Sequence, residues 1–394
     1  MLYRVQGVLG KEMGYQKSLE LKEKDLRGFK YTESIGKLLD RLRPVGTQRD
    51  GAGNRRFFFD QYVSLLLMYF FNPVLDSMRG IQRASELKKV QRQCRTGRVS
   101  LGALSEAAAI FEPERLREIV RELSVQVGPA AMSAEQEALR TLTAVDGSLL
   151  PALPRMAWAL WQDDRHRAAK LHLHFEVARG IPVDASITCG QESEIRQLRC
   201  SVEAGRLYVL DRGYVAYELL REMMQAHASF IVRVKHNTAF TVQEERPISP
   251  EARAAGVTRD VIVARLGADH SKRLITQPLR LVEVRNGDDT IRLLTDRLDL
   301  PADLVALAYR YRWSVELFFR WLKCVLGCRH LLGDSFQAVQ IQVYAALIAS
   351  LLLVAWTHKK PNKRTFEMLC FYFSGWASED ELLHHLQQLP NGSG

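Results

Sequence analysis

At 394 residues the chain exceeds the usual single-domain range of about 100–200 residues, so two or three packed units are expected. With 47% hydrophobic and 25% charged residues it is composed like an ordinary globular protein, which excludes a disordered, collagen-like or coiled-coil chain. A net charge of +10 and a pI of 9.3 point to a polyanionic partner, nucleic acid or an anionic membrane surface, without choosing between them.

The N-terminus, with Arg4 and Lys11 around a weak apolar stretch, lacks a signal-peptide core. The longest apolar run, Val343 to Trp356, falls short of the ~20 residues of a membrane-spanning helix. A soluble, intracellular protein is expected. From about Glu20 to Pro129 the pattern is helical, with amphipathic stretches at Tyr31–Leu42, Phe57–Phe71 and Pro113–Val127. Lys88, Lys89, Arg92, Arg95 and Arg98 recur there at near-helical spacing, ahead of a turn at Ser100–Leu104. That basic face suits a DNA phosphate backbone, although a solvated face on a structural helix would look the same. Residues 1–130 are read as a helical DNA-binding region.

After Pro129 the period changes. Leu142–Asp146, Lys170–Glu176, Ile181–Thr188, Leu207–Asp211 and Phe230–Lys235 are short runs of β-formers, interleaved with helical stretches such as Tyr217–Ala226. Three strands, a helix, a strand carrying an acid, a helix and another strand form the succession of an α/β, ribonuclease-H-like core, whose first part is placed at 131–236. Residues 237–300 read as a β-rich insertion, with strands at Val261–Arg265, Leu279–Arg285 and Thr290–Thr295 and a hairpin signal at Asn286-Gly287-Asp288. Long helices return over 301–357 to complete the core. A basic loop, Lys359–Arg364, and a short amphipathic tail fill 358–394.

The six cysteines lack the paired Cys-x-x-Cys spacing of a structural zinc site, and Cys324 and Cys328, one helical turn apart, have no second pair nearby. His172 and His174 share a strand face without an evident third ligand, and are read as ordinary strand residues.

Three acids stand out by their settings. Asp146 ends an apolar strand and precedes Gly-Ser, Asp211 ends Leu207-Tyr-Val-Leu and precedes Arg-Gly-Tyr, and Glu316 lies on a helix. Carboxylates from separate elements can hold hard cations such as Mg²⁺ for phosphoryl transfer. A lone strand-end Asp is more often a turn or cap residue, so neither Asp carries the reading alone. On the helix, Tyr309, Arg312, Glu316 and Lys323 have offsets of 0, 3, 7 and 14, which fall within ~60° of one another at 100° per residue. This polar stripe sets an acid among two cations and a phenol, beside an apolar arc of Tyr311, Val315, Phe318, Phe319, Leu322 and Val325. An ordinary amphipathic helix with a Glu316–Arg312 surface pair would share much of that pattern.

Tyr309-x2-Arg312-x3-Glu316-x6-Lys323 resembles the Y-x2-R-x3-E-x6-K signature of the "insertion sequence four" family of DDE transposases. Leu307–Gly333 is similar to that family's C-terminal region. Val209-Leu-Asp-Arg-Gly-Tyr214 followed by Phe230-Ile-Val-Arg-Val-Lys resembles the block holding its second Asp, and Ala144-Val-Asp-Gly-Ser148 fits the first-Asp block more loosely. The resemblance covers roughly residues 140–357. It implies a cut-and-paste DNA transposase in which Asp146, Asp211 and Glu316 hold two Mg²⁺ ions, with Mn²⁺ as a possible substitute. Nicking at the element end, a hairpin intermediate and strand transfer into target DNA would follow. Tyr309, Arg312 and Lys323, with Arg212 of the second-Asp block, would contact DNA phosphates. Pairing of two terminal repeats implies a homodimer in a synaptic complex, and the setting implied is the bacterial cytoplasm, at the nucleoid.

One departure concerns base flipping. Some relatives stack a flipped base on a tryptophan of the β-rich insertion, and none lies between Phe240 and Leu300; Trp313, beside the polar stripe, is read either as a stand-in or as a packing residue. Two rival readings compete: a tyrosine recombinase built on His270, Arg273 and Tyr309, and a catalytically silent, transposase-derived DNA-binding protein. The first leaves the three acids without a role, and the intact acids argue against the second.

Overall fold

In the computed structural model the described residues are 39–44, 53–72, 74–127, 134–152, 155–161, 166–267, 274–328, 330–357, 360, 362–373 and 376–388. In chain order their first helices are Phe59–Phe71 (α1), Met78–Ala84 (α2), Lys88–Gln93 (α3), Leu101–Ile110 (α4), Glu114–Gln126 (α5) and Ala134–Ala138 (α6). Strands Leu142–Pro151 (β1), Ala168–Glu176 (β2) and Ile181–Cys189 (β3) follow, then helix Glu194–Arg199 (α7), strand Leu207–Leu210 (β4), helix Tyr217–Gln225 (α8) and strand Ser229–Val234 (β5). Next come Phe240–Glu245 (β6), Pro250–Ala254 (α9), Val257–Leu266 (β7), Leu279–Asn286 (β8) and Asp289–Thr295 (β9). The last helices are Ala302–Tyr311 (α10), Trp313–Cys324 (α11), Phe336–Thr357 (α12), Lys363–Phe373 (α13) and Glu379–Gln388 (α14). The chain divides into two compact units. One comprises the described residues before 132, with 150–159 and 320–388; the other comprises 134–149 and 160–319.

The first unit is helical. Its centre is α12, apolar on all sides, which packs against α1, α4 and α5. All thirteen residues of α1 are buried. Within α12, Phe336–Ala355 is long and apolar enough to cross a membrane by length and composition, and 94% of that window is buried within the fold. The expected apolar run began at Val343 because glutamines interrupt the earlier turns. One of these, Gln342, is buried with its amide satisfied, donating to the His330 carbonyl and accepting from the Leu332 N–H, both at 2.8 Å. The expected basic loop does not reach Arg364: a helix starts at Lys363, capped by the Asn362 side chain, and α14 follows it in the amphipathic tail.

The second unit is built on one nine-stranded sheet, ordered β3-β2-β1-β4-β5-β9-β8-β7-β6. The mixed α/β, ribonuclease-H-like succession expected over β1–β5 is the one found. β1, β4 and β5 run parallel, and β2–β3 form an antiparallel hairpin at one edge. Leu207-Tyr-Val-Leu is buried throughout, as a central parallel strand covered on both faces should be. The β-rich segment continues this same sheet, because β9 pairs antiparallel with β5. Its β8–β9 hairpin closes on Asn286 opposite Asp289, and the left-handed φ of 64° at Gly287 explains the glycine in the turn. Strand β6 escaped the sequence reading because it is an exposed edge, Thr241–Glu245, without an alternating apolar face.

The two histidines of β2 are buried and hydrogen-bonded, His172 Nε2 to Thr188 Oγ1 at 2.8 Å and His174 Nε2 to Ser201 Oγ at 3.0 Å. Burial, with Lys170 and His174 nearby, pushes the His172 pKa down to about 4. An unfolded histidine titrates near 6.5, so between these values the unfolded chain binds a proton that the folded chain refuses. Stability therefore falls as pH drops through that window, by about 3 kcal/mol at its foot. His172→Gln should flatten the dependence of the urea midpoint on pH between 6.5 and 4; an unchanged slope would place the titrating group elsewhere.

Candidate active site

The β1–β4 register positions two of the acids. Leu142 pairs with Leu207, Thr143 with Tyr208 and Ala144 with Val209. Extended two residues past the last of these pairs, the register sets Asp146 beside Asp211, just beyond the end of β4, and alternation puts both on the face shared by Ala144 and Val209. Asp146 does not end its strand, as expected from the sequence. β1 runs on to Pro151, with extended backbone through Gly147–Leu150. Asp211 does stand just past β4, in extended conformation, before a tight turn over Arg212–Tyr214.

The third acid arrives on a helix with a joint in it. The single helix expected over Tyr309–Lys323 is two, α10 and α11, meeting at Arg312. The Arg312 N–H donates to the Tyr309 carbonyl at 3.1 Å and the Val315 N–H to the Arg312 carbonyl at 3.3 Å, the three-residue spacing of a tightened turn. Arg312 keeps right-handed helical angles, so the stripe survives the joint. Phe318 packs on Phe175 of β2, with ring centroids 4.9 Å apart, holding the start of α11 against the sheet.

Arg312 and Tyr309 tie the three acids together. Arg312 Nη2 donates to Glu316 Oε1 at 2.8 Å, and its Nη1 lies 3.9 Å from Asp146 Oδ2. The Tyr309 hydroxyl donates to Asp211 Oδ1 at 3.2 Å, and Asp211 also acts electrostatically on Arg312. The i, i+4 pair of an ordinary helix is thus present, but its guanidinium also reaches a carboxylate on the sheet. Burial pushes the Asp146 pKa up to about 6; the Gly147 N–H and Arg312 oppose the shift, while Glu194 and Glu316 add to it. Burial and Asp211 raise the Tyr309 pKa against the pull of Arg312 and Arg233, keeping its hydroxyl a donor.

These groups are hard oxygen donors, with three carboxylates around the Arg312 guanidinium, a donor set that suits Mg²⁺ or Mn²⁺. Among the described residues no three acids, imidazoles or thiols lie close enough to hold a metal ion as they stand. Arg312 is the cation that the carboxylates share.

The other candidates are dispersed. Arg212 is exposed beside Asp211, and Trp313 is exposed beside the joint. Lys323 occupies the last turn of α11, within the helical unit. Lys88, Lys89 and Arg92 are exposed on α3, but the helical spacing expected to continue through Arg95 and Arg98 stops at Gln93. Arg95 has a left-handed φ of 50° and pairs with Asp40 at 2.7 Å, while Arg98 pairs with Glu86 at 3.2 Å. Ser100 caps α4 by accepting from the Ala103 N–H. Cys324 is exposed and Cys328 buried, and neither is in a disulfide. His270 and Arg273 lie outside the described residues.

Sequence reasoning missed Glu194 and Tyr214, which interact near Asp146, and gave no role to Arg233, which lowers the Tyr309 pKa. Tyr214 and Arg233 lie inside blocks already noted, whereas Gly190-Gln-Glu-Ser-Glu194 carries no pattern that selects its second glutamate.

A parallel-strand pair of aspartates joined to a helix-borne glutamate defines a carboxylate site on an α/β sheet. Residues 137–352, more than half of the chain, match the family model described as the transposase DDE domain, and the chain belongs to that family. A protein of Sinorhizobium fredii named as a transposase is 31% identical over 228 residues, 57% of this chain and 64% of the relative. One of Geobacillus stearothermophilus, named for the transposase of an insertion sequence element, is 28% identical over 227 residues, 56% of this chain and 59% of its own length. A Synechocystis protein, also named for an insertion sequence transposase, is 22% identical over 302 residues, 74% and 80% of the two chains. The match thus spans under two thirds of the first two relatives. The solved piggyBac transposase synaptic complex with hairpin DNA is a distant likeness, at 11% identity and a TM-score of 0.46 over 92% of this chain and 84% of that one.

Proposed function

We propose that the chain is an active insertion-sequence transposase, a metal-dependent DNA endonuclease and strand transferase acting by cut and paste. The observation that carries this reading is the meeting of Asp146, Asp211 and Glu316 through Arg312 and Tyr309. Asp146, Asp211 and Glu316 would hold two Mg²⁺ ions, or Mn²⁺, whose Lewis acidity favours the attacking oxygen, water first and then a DNA 3′-hydroxyl, and the leaving oxygen. The chain's own residues position the DNA. Tyr309 offers a protonated hydroxyl and Arg312 a fixed fork of donors, both suited to phosphate oxygens, with Lys323 and Arg212 as further cations and Lys88, Lys89, Arg92 and Arg95 as contacts of the helical region. The exposed indole of Trp313 suits stacking on a base turned out of the duplex, which would accompany a hairpin intermediate. Two terminal repeats and target DNA are the partners, a homodimer the working form, and the bacterial cytoplasm, at the nucleoid, its place.

The test incubates the protein with labelled linear DNA carrying the element's ends, with Mg²⁺ or with EDTA. Metal-dependent cleavage at the element boundary is expected. End binding without cleavage in Mg²⁺ and in Mn²⁺ would overturn the catalytic reading and leave a DNA-binding remnant. For Arg312→Ala, end binding measured against salt should lose about one from the slope of log K on log salt, as one phosphate contact fewer requires. An unchanged slope would leave Arg312 to the acids alone.

A further inference from the structure

The site contains a fourth carboxylate, and its contacts connect the strand that carries Asp146 with the turn that follows Asp211. Glu194 opens α7, directly after β3, with Ser193 capping that helix through the Arg196 N–H. Its carboxylate lies against Gly147, the residue after Asp146: a Cβ at 147 would stand 2.6 Å from Glu194 Oε1 and 2.9 Å from its Cδ. The Gly147 N–H in turn donates to Asp146 Oδ1 at 2.8 Å. On its other side Glu194 interacts with the hydroxyl of Tyr214, a buried residue three beyond Asp211 and the last of its turn, whose pKa is raised by burial and then by Glu194. Lys170 of β2 approaches Glu194 Oε1 at 3.6 Å and donates to the Glu192 carbonyl at 2.9 Å, which fixes the start of α7 on the sheet. Tyr214 and Gly147 thereby acquire a reason. The tyrosine reaches back from the turn after Asp211, the glycine clears space in the strand of Asp146, and Glu194 fills the gap between them.

We propose that Glu194 is a positioning residue, joining the Asp146 strand through Gly147 to the Asp211 turn through Tyr214 so that the two aspartates keep the separation a shared cation needs. This rests on the proposed metal-binding role of the three acids. Partners of this kind behind metal ligands typically contribute 10–100-fold to metal affinity.

The test measures Mn²⁺ affinity of the full chain by calorimetry, with thermal unfolding as a separate readout. Glu194→Ala should weaken Mn²⁺ binding by about 10–100-fold, whereas Glu194→Gln, which keeps the shape and an acceptor for Tyr214, should restore most of it. Gly147→Ala, which forces the Glu194 side chain aside, should weaken binding in the same direction as Glu194→Ala. The proposal is overturned if Glu194→Ala lowers the unfolding temperature while Mn²⁺ affinity is unchanged, since Glu194 would then serve the fold alone. It is equally overturned if Glu194→Gln binds as weakly as Glu194→Ala, since charge rather than the tie would matter. Asp211→Asn separates this from the parent reading. Wild-type binding that survives Asp211→Asn removes the metal role of the acids altogether, whereas binding lost in Asp211→Asn and intact in Glu194→Ala removes only the role of Glu194.

Discussion

Glu316→Gln is expected to abolish metal-dependent cleavage at the element ends, by on the order of 10⁴-fold in rate, as loss of one carboxylate from a catalytic unit does. That is roughly 5.5 kcal/mol of barrier. The substitution keeps the size of the side chain and an oxygen able to accept from Arg312 Nη2, whose bond to Glu316 Oε1 is 2.8 Å. Helix α11 should therefore form as before, and binding of the ends should persist. A single-turnover assay beside a gel-shift titration reads both quantities. If Glu316→Gln cleaves within a few-fold of wild type, Glu316 is not part of the chemistry, and the arginine–glutamate pair is only that of an ordinary helix.

The second large effect concerns the fold that brings Glu316 to the sheet. Arg280 of β8 and Asp260 of β7 form a bidentate pair, with Nε to Oδ1 at 2.8 Å and Nη2 to Oδ2 at 2.7 Å, and both side chains are only 3% exposed. Arg280 Nη1 donates in addition to the Leu300 carbonyl, which immediately precedes Pro301 and α10. The pair thus anchors the β-rich strands to the start of the helix carrying Tyr309. Arg280→Met leaves Asp260 buried without its cation and should destabilise the chain by about 3–5 kcal/mol. Adding Asp260→Leu should recover much of that loss, because no charge then remains uncompensated. Urea midpoints of the two variants decide: a single substitution costing little would mean that solvent reaches Asp260, contrary to its burial.

How much of this was legible depended on whether a feature is local. The five-strand succession was readable because β1 to β5 are short runs of β-formers separated by helical periods, and the Leu207–Leu210 run announces a strand buried on both faces. The helix stripe was readable because Tyr309, Arg312 and Glu316 are fixed by a short spacing. The joint at Arg312 was not, since no glycine or proline marks it and its residues keep helical angles. Nor was the end of α3, where Arg95 turns left-handed to meet Asp40. Glu194 was invisible for a different reason. Its importance lies in contacts with Gly147 and Tyr214, 47 and 20 residues away, which only the sheet order brings together.

In the proposed site Asp146, Asp211 and Glu316 share bound metal. The most direct measurement is anomalous diffraction from crystals of the chain with its element ends, soaked in Mn²⁺. Anomalous peaks bounded by oxygens of all three carboxylates, with Arg312 turned from them toward a DNA phosphate, are the predicted result. Crystals with ordered DNA ends, no peak at these acids and Arg312 still bonded to Glu316 would contradict it.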